Sequence, residues 1–139
     1  MSNVLLRPWR RAIQLSGRAT RTEYWLFIVQ LIAVYFLWAM LVGALAALFQ
    51  TPLLSAILGI LTLLYMMFAF VASITAAVRR LHDHDKTGWL YLITFVPLFG
   101  WIFYLIMMLT PGTKGENGYG YDPREGEQPA AEAVASVFS

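Results

Sequence analysis

The sequence predicts an all-α integral membrane helical bundle: three transmembrane helices preceded by an N-terminal interfacial amphipathic helix. Three observations carry this. The 55 residues from Tyr24 to Val78 hold no formal charge, and since about 18 such residues make one crossing, the run is long enough for two. A further apolar run, Trp89 to Leu109, has 21 residues. Of all 139 residues, 59% are hydrophobic and 13% charged, far from the balance of a soluble domain.

The chain divides into a basic amphipathic segment (1–22), a three-span membrane domain (23–110), a glycine-rich turn region (111–123) and a disordered tail (124–139). Residues 4–15 read as a short surface helix, with Arg7, Arg10, Arg11 and Gln14 on one arc and Leu5, Leu6, Trp9, Ala12 and Ile13 on the other. Arginine opposite tryptophan and leucine suits the lipid–water boundary. Pro8 is tolerated in a first turn, where its missing N–H is not needed. Ser16-Gly17 ends that helix, and Thr20 with Glu23 three residues on forms a capping-box pattern.

The first span runs from about Glu23 to Phe49. Gln50-Thr51-Pro52 breaks the run, and the second span follows from about Leu53 to Val78. Ala39, Gly43 and Ala47 form a small-residue stripe on the first span, with Ser55 and Gly59 at the same depth on the second, so these faces are expected to touch. In the third run, Pro97 and Gly100 predict a kinked crossing, with two half-helices forming a re-entrant hairpin as the alternative. From Pro111 on, recurrent glycine with Asn117, Pro123 and Pro129 predicts turns that give way to disorder.

Charge placement sets orientation. Arg7, Arg10, Arg11, Arg18 and Arg21 precede the first span, and Arg79, Arg80 and Lys86 lie between the second and third, whereas the loop between the first two carries no cation. By the positive-inside rule the N-terminus and the Arg79–Lys86 loop are cytoplasmic. Three full spans put the acidic tail outside; a re-entrant third segment returns it to the cytoplasm. Because the cations flank spans, nucleic acid is not an expected partner. Cysteine is absent, which removes disulfides, thiolate catalysis and zinc-thiolate sites. The first apolar stretch, about 26 residues, exceeds the roughly 7 to 15 of a cleaved signal peptide.

Several short motifs occur in a fixed order. Gly17-Arg18, Arg21, Glu23-Tyr24-Trp25 and Phe27 surround the start of the first span. Arg79-Arg80-Leu81-His82-Asp83, Gly88-Trp89, Pro97 and Gly100 follow, and then Gly112-Thr113, Gly115, Asn117, Tyr119-Gly120 and Asp122-Pro123. Together, over about residues 10–123, they resemble the YhaH/YhaI-type family of small bacterial inner-membrane proteins, a domain family of unknown function. His84-Asp85 and everything after Pro123 fall outside that pattern, and Gly118 stands where a basic residue is common. The resemblance implies a bacterial inner-membrane location and brings no reaction with it.

The cations suggest one candidate site. Arg18, Arg21, Arg79, Arg80 and Lys86 are placed by topology at one membrane face, where a lipid headgroup or phosphorylated ligand can be held by bidentate guanidinium bonds. The bland reading is that they enforce orientation and pair with Glu23, Asp83 and Asp85. Glu23, His82 and Asp83 form a candidate polar network. His82 and His84 beside Asp83 and Asp85 invite a metal reading, but with no third histidine and no cysteine a ligand set is short of the three or four groups needed. No Gly-x-Ser-x-Gly elbow is present, the glycine-rich turn lacks a Lys-Ser/Thr ending, and the spans carry no charged group for ion coupling. No catalytic residues, cofactor or metal are assigned.

The expected function is accordingly an interaction or envelope-support protein of the inner membrane without evident catalysis. Its expected partners are anionic lipids, or a protein, at the cytoplasmic arginine cluster, with self-association through the small-residue faces. A small transporter or channel component is the first alternative. A membrane enzyme using His82 and Asp83 is the second.

Overall fold

The computed structural model of the protein describes residues 6–124. The tail after Arg124, expected to be disordered, and Leu5 of the leader lie outside the described residues. Four α-helices and one 3-10 helix follow in order: α1 (Arg7–Arg10), α2 (Arg21–Phe49), α3 (Pro52–Asp83), the 3-10 helix (Gly88–Phe95) and α4 (Phe99–Leu109). The architecture is an all-α membrane bundle in which α2 and α3 are long and apolar enough to cross a bilayer and α4 is shorter.

Local signals explain the two long helices. Thr20 caps α2, its Oγ1 accepting the Glu23 backbone N–H at 3.2 Å, the first half of a capping box. Gln50 ends the helix with φ 44°, a left-handed stop, and Pro52 opens α3 where its missing N–H costs nothing. The hairpin faces meet through different residues from those expected. Leu31 and Leu58 are buried, Trp38 Nε1 donates to Thr62 Oγ1 at 2.9 Å and the Tyr65 hydroxyl donates to the Leu31 carbonyl at 2.8 Å. Ala39, Gly43, Ala47, Ser55 and Gly59 are all exposed, and a Cβ placed on Gly43 or Gly59 would touch nothing within 4 Å. Large side chains claim the contact in the outer half, so the small-residue stripes do not.

The leader is less helical than its amphipathic pattern predicts. Helix α1 is a single turn, followed by further turns, and Trp9 and Ala12 are packed against α2 and α3. Trp9 lies against Phe27 and Phe68 and donates its indole N–H to Gln30 at 3.0 Å. The Thr75 hydroxyl bonds the Ala12 carbonyl.

The third apolar run breaks. Of its two predicted foldings, with the kinked crossing favoured, the structure takes the half-helix form. Gly88 packs on α3, where an added Cβ would come within 2.7 Å of Val78 Cγ1. At the other end of the run the Thr110 carbonyl accepts from Arg80, and Thr113 N donates to the Asp83 carbonyl at 2.8 Å. Both ends therefore meet the last turns of α3. Pro97 cannot continue a helix, Leu98 turns the chain with φ 61°, and Gly100 lets the arms cross, since a Cβ there would overlap the Ile93 carbonyl. Each arm is about 16 Å long at the rises of the two helix types, half a hydrocarbon core.

Burial follows this layout. The buried residues of α2 are Glu23, Tyr24, Phe27 and Leu31, and those of α3, apart from Leu58, lie between Ala72 and Asp83. The leader and the 3-10/α4 hairpin surround one half of the α2/α3 pair. The other half is left as two helices alone.

Candidate functional site

The packed end of the bundle holds a polar core. At its centre is Asp83, 1% exposed, on the last turn of α3. Its Oδ1 accepts from Arg18 Nε at 3.1 Å and Nη2 at 2.9 Å, and its Oδ2 accepts from Arg80 Nη1. Two guanidinium groups thus share one carboxylate. Arg18 also donates to the carbonyls of Thr113 and Gly115, both at 2.6 Å, and of Gly120 at 3.2 Å. Five fixed donors of a planar fork make such a convergence possible, and lysine cannot reproduce it.

A second buried ion pair lies beside the first, with Arg79 Nη1 3.7 Å from Glu23 Oε1. The two carboxylates face three buried guanidinium groups. An additional pair, Arg124 Nε to Asp122 Oδ1 at 2.7 Å, closes the turn region. The Arg124 bond pulls the Asp122 carboxyl down to about 2, against the opposing effect of burial.

The two histidines act as fasteners. His82 Nδ1 lies 3.2 Å from the Gly17 carbonyl, an acceptor, so this nitrogen carries the proton; its ring stacks on Tyr119 at 3.9 Å. His84 Nε2 donates to the Met107 carbonyl at 2.7 Å. Burial pushes the His84 imidazole below its ordinary value, repulsion from Arg80 adds to this, and the Met107 bond opposes it. Asn117 bonds the His82 carbonyl and Gly118 N bonds Asp85. The glycine-rich turn is thereby laid over the end of α3, and Gly112 passes so close to Asp83 that a Cβ would overlap its carboxylate.

The five cations of the sequence-predicted site therefore do not face one ligand. Arg18, Arg79 and Arg80 are interior, whereas Arg21 and Lys86 are exposed. The physical reason is Asp83 and the carbonyls of residues 110–120, which supply internal acceptors that a topology argument does not count. Of the predicted polar network, Asp83 is the hub, Glu23 pairs with Arg79, and His82 binds the leader and Tyr119. Among the described residues no three His, Asp or Glu side chains gather in a metal-holding group. Sequence reasoning missed the roles of Thr113, Tyr119 and Gly112, although all three stand in the ordered motif set.

Polar groups inside the spans find partners within the chain, some local and some across helices. Thr62 bonds the Leu58 carbonyl, Ser73 that of Phe70, and Thr94 that of Tyr91. Gln30 is taken by Trp9. They do not converge on a path.

Comparison with known proteins places this arrangement. A family model described as a protein of unknown function, DUF805, matches residues 12–121. The chain is similar to the inner membrane protein YhaI of Escherichia coli (strain K12), with 40% identity over 111 residues, 80% of this chain and 86% of that protein. It is also similar to the inner membrane protein YhaH of the same strain, with 32% identity over 119 residues, 86% of this chain and 94% of that protein. No solved structure matches the chain.

Proposed function

We propose that this chain, which belongs to the DUF805 family of proteins of unknown function, is a non-catalytic inner-membrane protein that crosses the bilayer twice and engages anionic lipid through a cationic cytoplasmic rim. One observation carries the reading. With Arg18 and Arg80 sequestered and Arg124 paired with Asp122, Arg10, Arg21, Lys86 and Lys114 are exposed around the packed end, against Asp85 and Glu116 as exposed acids among the described residues. Cations concentrated at one end favour the cytoplasmic side and its anionic leaflet. The N-terminus and the turn region then share that side, because both ends of the third run return to Asp83. Engagement of the intramembrane polar groups by partners within the chain supports a role without a transport path.

Two measurements test this. The chain has no native cysteine, so Arg10→Cys, Gln50→Cys and Glu116→Cys report topology cleanly in oriented vesicles. Labelling of positions 10 and 116 from the cytoplasmic side and of 50 from the other is expected; position 116 labelled with 50 sinks the two-crossing reading. Spin-labelled phosphatidylglycerol should be enriched at the protein over phosphatidylcholine, with a selectivity that falls as salt rises. Equal association of both lipids sinks the rim, and co-purification of one defined protein in its place favours a protein partner.

A further inference from the structure

Arg21 is exposed, unlike Arg18, Arg79 and Arg80. Its guanidinium makes no hydrogen bond or ion pair among the described residues, and it stands at the mouth of a shallow groove of about 350 Å³ lined by Arg21, Thr22, Trp25, Leu26 and Val29. These positions form one face of α2 over nine residues, about 12 Å from first to last. The Trp25 indole N–H is already spent on the Met108 carbonyl at 3.2 Å, so the ring offers the groove an apolar wall. Along the helix the lining residues begin with Arg21 and Thr22 and continue with the apolar Trp25, Leu26 and Val29.

Charge complementarity selects the occupant. Behind Arg21 lies the buried core in which Glu23 and Asp83 face Arg18, Arg79 and Arg80. Arg21 itself is exposed and pairs with no carboxylate among the described residues, so an anion in the groove would offset its charge. We propose that the groove holds one anionic phospholipid, its phosphate on Arg21 and Thr22 and one acyl chain along Trp25, Leu26 and Val29. This deepens the reading above and rests on its placement of this end at the lipid–water boundary: a single site of defined stoichiometry stands within the diffuse cationic rim.

The test is native mass spectrometry of the full chain released from nanodiscs of phosphatidylglycerol and phosphatidylethanolamine. Wild type is compared with Arg21→Gln, Val29→Trp and Lys86→Gln, each first checked for unchanged thermal unfolding. Arg21→Gln removes the charge, Val29→Trp fills the groove and keeps the charge, and Lys86→Gln removes a rim cation that does not line it. One phosphatidylglycerol retained per wild-type chain, reduced at least tenfold in Arg21→Gln and Val29→Trp and kept in Lys86→Gln, supports the site. Retention unchanged in Val29→Trp while each lost cation lowers it equally overturns the groove and leaves the rim standing. No preference for phosphatidylglycerol in wild type overturns both.

Discussion

Arg18 and Asp83, 65 positions apart, meet through two hydrogen bonds to one oxygen, Arg18 Nε and Nη2 lying 3.1 and 2.9 Å from Asp83 Oδ1. The contact joins the leader to the end of α3, and through the carbonyls that Arg18 also binds it joins both to the turn region. Three separate pieces of chain are held by one side chain.

Asp83→Asn should be severe. It leaves the buried guanidinium groups of Arg18 and Arg80 without their carboxylate, and breaking a buried pair in this way costs about 3–5 kcal/mol. Lys86→Gln, at an exposed position, should stay within about 0.5 kcal/mol of wild type. Unfolding in mild detergent, followed by far-UV circular dichroism, compares the two; equal stabilities would remove Asp83 from the centre of the fold.

Glycine position should decide the sign of an alanine substitution. Gly112→Ala would drive a Cβ into the Asp83 carboxylate and within 2.6 Å of its carbonyl oxygen, an overpacking worth roughly 1–3 kcal/mol of destabilisation. Gly43→Ala and Gly59→Ala meet open space and remove a helix-interior glycine, so each should be neutral or stabilising by up to about 1 kcal/mol. A loss of stability at Gly43 in the purified monomer would show that the small-residue face is packed after all.

The outer half of the hairpin should be tolerant. Thr62→Val removes the acceptor of the Trp38 indole N–H, and interhelical hydrogen bonds of this kind average about 0.6 kcal/mol in membranes. The expected change is therefore small in the same unfolding assay. A loss as large as that of Asp83→Asn would mean that this half depends on the bond far more than its sparse packing implies.

Acid should loosen the turn region in two stages. His84 is held below its ordinary value of 6.5, so the neutral form is favoured in the fold. Its contribution is fully present above 6.5 and is lost as pH falls from there through the lowered value. Asp122 is lowered from 3.8 to about 2; its contribution is present above 3.8 and is lost between 3.8 and about 2. Burial lowers His82 as well, so amide protection at Gly115 and Gly120, corrected for intrinsic exchange, should fall in both windows, and His84→Gln should shrink the first step while leaving the second unchanged.

Much of the fold is legible in local pattern. Uncharged length marks the spans, Thr20 with Glu23 marks the start of α2, and Gln50-Thr51-Pro52 marks the break. The third run is legible only in part: Pro97 and Gly100 signal interruption, but a kink and a hairpin need the same breakers, and the choice rests on where Thr110 and Thr113 find partners. For the cations, residue type and topology place Arg18 and Arg80 at one end of the bundle without saying what accepts their hydrogen bonds.

The sequence by itself determined that this protein lives in a bilayer, where its helices break and at which end its positive charge collects, because hydrophobic length, proline geometry and charge count act within a few neighbouring residues. Only the tertiary structure decided that Arg18 and Arg80 close on Asp83 while Arg21 stays exposed, and that both ends of the third run meet the last turns of α3. Those outcomes depend on distances of about 3 Å between groups tens of residues apart, which no local pattern encodes and which only the packed chain brings into being.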